Sequence, residues 1–232
     1  MTSGTRRRRV RGSVPVRAAL ALLSFSACAS PTFGQTISPP TAHELAQRVD
    51  RHYDQLHSLK AEFTESYSGL GMTRTEGGTL FLSKPGHMLW RYSSPPGKIF
   101  LLDSKYAWFY TQGETQVPRI PASELDDLRS PLRFLLGHTQ LEKELTGLTL
   151  ATGYDGLFIL TGQPKGQERR VTRLTLTVTA AGAITAIEVD EADGAITRFT
   201  FAGEQPNAKI PADTFHFIPP AGVPVVDAMP PV

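Results

Sequence analysis

The stretch "GGTLFLSKPGHMLWRYSSPPGKIFLLDSKYAWFYT", residues 77–111, decides the fold. It holds four short apolar runs separated by "KPG", "SPPG" and "DSK". Proline and glycine at those breaks supply turn geometry and interrupt a hydrogen-bonded ladder. Leu80 and Leu82 share one face of the first run, and Met88, Trp90 and Tyr92 share one face of the next. That two-residue period belongs to strands, not helices. "YAWFYT" is aromatic throughout.

Working outward, Thr41 and Glu44 form a capping box ahead of Leu45, Val49, Tyr53 and Leu56, which line one face of a helix. The period then changes: Leu59, Ala61, Phe63 and Tyr67 alternate with polar residues, as in a strand with one wet face. "PASELDDLRSPLRFLLGH" predicts two short helices. Ser123 and Asp126 suggest one cap, Ser130-Pro131 a second start and Gly137 a stop. Leu132, Leu135 and Leu136 give that segment an apolar stripe, and "QLEKEL" adds a further turn.

Strands resume with "GLTLAT", "GLFILTG", "RVTRLTLTVT", "AITAIEVDEADG" and "AITRFTFAGE", where Asp193-Gly194 is a two-residue hairpin signal. "IPADTFHF" predicts a last short strand, and the Pro-rich tail from about 218 predicts no regular structure. The sum is about eleven strands, one N-terminal helix and a helical insertion. Antiparallel strands joined by short turns indicate a mainly β chain with α-helices (α+β), its sheet curled into a barrel or half-barrel.

The chain has 232 residues, 40% hydrophobic and 20% charged, which suits one domain. Its net charge of +2 is unevenly placed. Six arginines and no acid lie in residues 1–34, which leaves −4 for the rest. Nothing in that body indicates a general affinity for nucleic acid. The basic start and the apolar run of residues 18–27 have the form of a secretory leader, too short to span a bilayer. We expect a signal peptide over 1–29, with cleavage as late as 34, and a single domain over 30–232. The one cysteine, Cys28, is either discarded with the leader or acylated as the first mature residue. Ser26 and Ala27 suit acylation and Phe25 does not, so the leader reading is taken here.

Catalytic motifs are absent: no G-x-S-x-G, G-x-G-x-x-G or Walker sequence occurs. "HEL" at 43–45 begins like a zinc motif, but position 47 is Gln. The six histidines are scattered, and "DEADG", 190–194, has the composition of a charged hairpin tip. Neither a metal, nor a cofactor, nor an enzymatic activity is expected. Trp90, Tyr92, Trp108, Phe109 and Tyr110 are read from the pattern as core aromatics.

Residues 78–110, together with "SPLRFLLG" and "IPADTFHFIPPAGVPVVD", resemble the periplasmic outer-membrane lipoprotein carriers, the LolA-type chaperones. The shared pattern is a basic residue before Pro, an apolar-Trp segment, a Pro turn, a "D-x-K" and an aromatic "W-x-Y" strand. The likeness runs in order over about residues 41–228. It implies an unclosed antiparallel barrel of about eleven strands with a helical lid over a hydrophobic cavity. It also implies a periplasmic monomer that carries acylated lipoproteins from an inner-membrane ABC-type release complex to an outer-membrane receptor. Under that resemblance, Val49, Tyr53, Leu80, Leu82, Met88, Trp90, Leu132, Leu135 and Leu136 are the cavity candidates, and residues 122–136 the lid. Lys84 stands where the family usually has an Arg that contacts the lid helix. Arg91 follows Trp90 rather than preceding it, so no role transfers to it. The alternatives are a lipid-anchored receptor of the same fold, which needs an acylated Cys28, and a lipid-sensing or protein-interaction domain.

Overall fold

The computed structural model describes residues 39–124, 135 and 140–228. The capping box forms as its spacing predicts. Glu44 N donates to Thr41 Oγ1 at 3.2 Å, and Thr41 N donates to Glu44 Oε2 at 2.8 Å. They start α1, Ala42–Asp54, which buries Leu45, Ala46, Val49 and Tyr53.

Among the described residues twelve strands follow: β1 Ser58–Gly69, β2 Met72–Ser83, β3 His87–Ser94, β4 Pro96–Asp103, β5 Tyr106–Thr111, β6 Val117–Pro121, β7 Leu145–Thr152, β8 Phe158–Pro164, β9 Val171–Val178, β10 Ile184–Glu191, β11 Ile196–Pro206 and β12 Val225–Asp227. A short helix, α2 Leu141–Glu144, precedes β7. All strands join one sheet in the order β12-β6-β5-β4-β3-β2-β1-β11-β10-β9-β8-β7. Its two edges, β12 and β7, do not pair, so the sheet is unclosed. Neighbours are antiparallel except β12, which runs parallel to β6. One face of β1–β5 and β7–β11 contributes to a single apolar cluster around α1, Leu135 and α2. A sheet whose two halves both pack on one helix is curled, and that face is its inside.

Three expectations are corrected, two in the C-terminal segment and one in the strand it pairs with. "IPADTFHF" is not a strand: Ala212–Phe215 is a 3₁₀ turn, closed by Thr214 N donating to Pro211 O at 3.1 Å. Phe215 is pinned there by burial against Leu89, Leu101, Trp108 and Val117 on the outside of the sheet. The tail is not wholly irregular, because β12 pairs with the edge of β6, with Val117 N donating to Pro224 O at 2.9 Å. Strand β6 itself, "VPRIP", was not expected, since two prolines remove ladder donors. It is only five residues long and is paired over three positions on each side, so it needs few of them.

Elsewhere the pattern holds. "QLEKEL" supplies α2, and Asp193-Gly194 turns β10 into β11 with Gly194 at φ +89°. The β9–β10 turn comes so close to α1 that a Cβ on Gly182 would lie 2.4 Å from Arg48 O. Glycine is required there both for its φ of +97° and for that approach. The predicted leader (with Cys28) and most of the predicted helical insertion lie outside the described residues.

Candidate functional site

Strand register places the inner face. Leu80 pairs with Trp90, Leu82 with Met88, and Trp90 with Phe100, which in turn pairs with Phe109. Directly paired residues share a face. Leu80, Leu82, Met88 and Trp90 therefore stand together inside, all almost fully buried, with Val49 and Tyr53 of α1 and with Leu135. These seven of the nine cavity candidates meet in one cluster. Leu132 and Leu136 lie outside the described residues.

The inner wall is more aromatic than those candidates suggest. Trp90 meets Phe63 edge-on at 4.5 Å between centroids, Phe199 at 5.5 Å and Phe201 at 6.1 Å. Phe63 meets Tyr92 at 5.0 Å, and Phe100 meets Phe109 at 5.0 Å. Such edge contacts suit the ring quadrupoles. Tyr92, Phe100, Phe109 and Phe201 are only half-buried, so apolar surface on this wall stays accessible. Phe199 and Phe201 were missed as candidates, although their alternation in "ITRFTFAGE" carried the signal. The five aromatics grouped by sequence divide between faces. Trp90, Tyr92 and Phe109 belong to the inner cluster, whereas Trp108 and Tyr110 pack outside with Phe217.

Helix α1 is held across this wall from several sides. Tyr53, buried in the core, accepts a hydrogen bond from Ile184 N of β10 at its hydroxyl, 3.0 Å away. Burial holds that phenol well above its ordinary pKa. His52 Nε2 lies 2.7 Å from Glu204 Oε1 of β11. Arg48 donates to Ala180 O at 3.0 Å in the β9–β10 turn. Asp50 accepts from Leu141 N of α2 at 3.0 Å, and its burial there raises its pKa. Lys84, at the β2–β3 turn, donates its ammonium to Tyr53 O at the C-terminus of α1. A cation suits that helix end, where carbonyls lack intrahelical partners. Burial lowers the Lys84 pKa, and Asp54 opposes the shift. The partner seen for Lys84 is thus a backbone carbonyl of α1.

Charge enters the inner face at one end. Glu65 and Glu76 sit directly opposite each other on β1 and β2. Like charges placed so would repel, but Lys98 pairs with Glu76, and Arg74 approaches both acids at 3.4 Å. Tyr92 donates its hydroxyl proton to Glu65 at 2.8 Å, and Lys98 lies 4.2 Å from the Tyr92 ring centroid. Burial, then the Glu65 charge, raises the Tyr92 pKa far above its ordinary value. The site is therefore an aromatic and aliphatic wall, partly covered by a tethered helix, with a compensated charged belt at its end. Its chemistry is that of apolar contact.

The chain matches the model of the family described as outer membrane lipoprotein carrier protein LolA over residues 54–218. An outer-membrane lipoprotein carrier protein of Cupriavidus necator is 31% identical over 209 residues, covering 87% of this chain and 96% of the relative. One from Nitrosospira multiformis is 28% identical over 178 residues, covering 75% and 84%. Among solved structures, an uncharacterized conserved protein of Thermus thermophilus has a TM-score of 0.52 at 13% identity, covering 81% of this chain and 99% of that one. The lipoprotein LppX of Mycobacterium tuberculosis has a TM-score of 0.50 at 13% identity, covering 74% and 98%. Those two likenesses concern the fold alone. The family match and the breadth of the sequence relatives, set beside the unclosed sheet and its apolar inner face, establish that the chain belongs to the LolA family of outer-membrane lipoprotein carrier proteins.

Proposed function

We propose that this protein is a periplasmic carrier that shelters the acyl chains of lipoproteins on its inner face between the inner and outer membranes. The observation that carries the reading is the half-buried aromatic wall of Tyr92, Phe100, Phe109 and Phe201 inside the curled sheet. Each methylene kept from water is worth about 0.8 kcal/mol, so one long acyl chain gains on the order of 10 kcal/mol. That gain replaces what the chain leaves behind in a bilayer. No bond is made or broken, and no cofactor is needed.

Release requires that the cover over the wall opens at modest cost. We assign the cover to α1 and to residues 122–136, with Lys84 as a latch. Leu132, Leu135 and Leu136 would turn the stripe of that segment inward. The family Arg is replaced by Lys84, whose ammonium lacks the planar fork of a guanidinium and makes a looser latch. The partners implied are an ABC-type release complex in the inner membrane and a receptor at the outer membrane, with the carrier working as a monomer.

The test uses inner-membrane vesicles that hold the release complex and a labelled lipoprotein. Adding the protein with ATP should move the label into a soluble one-to-one complex. Label that stays in the vesicles would overturn the proposal. Lys84→Leu should change the rate of transfer onward from that complex, and unchanged transfer would remove Lys84 from the mechanism.

A further inference from the structure

The tip of the β1–β2 hairpin is built against the usual rules. Its turn is Gly69-Leu70-Gly71-Met72, with Leu70 at φ +51° and Gly71 at φ +75°. Positive φ at both central positions suits the mirror-image two-residue turn, for which Asn-Gly is the favoured pair. Leucine there strains the backbone, because its Cβ crowds the neighbouring carbonyl. The same residue is 75% exposed, and Met72 beside it is 63% exposed. Folding gains nothing from either feature.

The tip also stands clear of β3. Pairing between β2 and β3 begins at Gly77 and Ser94, so Met72–Glu76 runs beyond β3. At 3.3 Å per residue that is roughly 16 Å. On the other flank Ile196, 41% exposed, pairs with Ser68. It lies on the opposite face of the ribbon from Met72, which pairs with Gly69. The ribbon end is therefore apolar at its apex and at Met72, while its other face carries Ser68 and Thr73 with Ile196 of β11 beside them.

We propose that this tip is a wedge that dips into the interfacial layer of a lipid bilayer. Two or three side chains at a hairpin tip fall far short of the roughly 800 Å² per partner of a stable protein interface. A tip that dips only into the interfacial layer needs an apolar apex, here Leu70 and Met72, and leaves Ser68, Thr73 and Arg74 among the headgroups. The rim beside it is charge-balanced. A Cβ at Gly69 would lie 2.5 Å from Ala195 Cβ, and Ala192 N donates to Arg170 O at 2.7 Å, which joins the tip to the 192–195 and 165–170 turns. Those turns with β10's end carry Lys165, Arg169 and Arg170 against Glu168, Glu191 and Asp193. Insertion is therefore apolar in origin and does not depend on anionic lipid. It concerns the cargo-free protein, and it stands or falls apart from lipoprotein carriage.

The test is partition of the cargo-free protein onto vesicles of phosphatidylcholine and phosphatidylethanolamine, and onto vesicles enriched in phosphatidylglycerol. Binding to both, little changed by salt, is expected. Leu70→Asn suits the turn, so it should raise the melting temperature while lowering partition about tenfold. Met72→Ser should lower partition, and Met72→Leu should keep it. Partition unchanged in Leu70→Asn overturns the proposal. So does a wild type that ignores vesicles, or one that binds only anionic vesicles and is released by salt.

Discussion

Tyr53→Phe isolates the bond that ties α1 to the far half of the sheet. Tyr53 is 1% exposed, and its hydroxyl accepts the Ile184 amide at 3.0 Å. Phenylalanine keeps the ring, including its edge contact with His52 at 4.9 Å, and removes only the oxygen. The Ile184 N–H then remains in the core with no acceptor. Leaving one buried donor unsatisfied costs about 1–3 kcal/mol. For a domain of this size, roughly 2 kcal/mol lowers Tm by about 4–8 °C. In urea the midpoint should fall by about 1 M at unchanged slope. Urea melts at neutral pH read the cost, and amide exchange at Ile184 locates it, because that proton should exchange faster than its neighbours on β10. A midpoint within about 0.2 M of wild type, with Ile184 still protected, would mean that α1 is held by packing alone and not by this bond.

Three further outcomes follow, two from single contacts and one from the sequence. Asp103 accepts from Lys105 N, Tyr106 N and the Trp108 indole at 2.9, 2.8 and 2.7 Å. Burial raises its pKa, but those hydrogen bonds outweigh burial and hold it below its ordinary value of 3.8. The stability it gives is therefore present above about pH 4 and lost as pH falls through the lowered value. Asp103→Ala should destabilise by about 1–3 kcal/mol at pH 7 and by less in strong acid, measured by urea midpoints across pH. Asp50 has the opposite sign, because burial raises its pKa above its ordinary value of 3.8. Its charged form is a cost at neutral pH that disappears on acidification, so Asp50→Asn, which can still accept from Leu141 N, should match or exceed wild-type stability at pH 7. A clear loss there would contradict that sign. Finally, denatured mass spectrometry of the exported protein should show a chain starting at Ser30 or Gln35 with no added mass. A chain starting at acylated Cys28 would instead mean a membrane-tethered receptor.

Much of this fold was legible, and the gaps have physical causes. The capping box, the period of four and three in α1 and the alternation in β1, β2 and β9–β11 all follow from side chains choosing one wet and one dry face. The assignment of faces did not follow as directly. In β3–β5 both faces are apolar: Met88, Trp90, Phe100 and Phe109 point inward, while Leu89, Leu101 and Trp108 point outward beneath Phe215 and Phe217. A strand covered twice loses its alternation. The outer cover is the C-terminal segment itself, whose prolines hide both its 3₁₀ turn and β12. Strand β6 was hidden for the same reason. Within the site, spacing put Leu80 with Leu82 and Met88 with Trp90, and the family resemblance joined the two pairs on one face; the alternation of Phe199 and Phe201 was visible as well, but their place beside Trp90 comes from the pairing of β11 with β1 across 130 or so residues of chain. Long-range pairing of that kind leaves no local mark.

If acyl chains lie against the inner wall, the two tryptophans of the chain, Trp90 inside and Trp108 outside, report on it separately. Trp108→Phe and Trp90→Phe each leave a single emitter. The measurement is quenching of each by a lipopeptide carrying brominated acyl chains, whose bromines act only at short range. Saturable quenching of Trp90, with Trp108 little changed, is expected. Quenching of Trp108 without Trp90, or of neither, would contradict that placement.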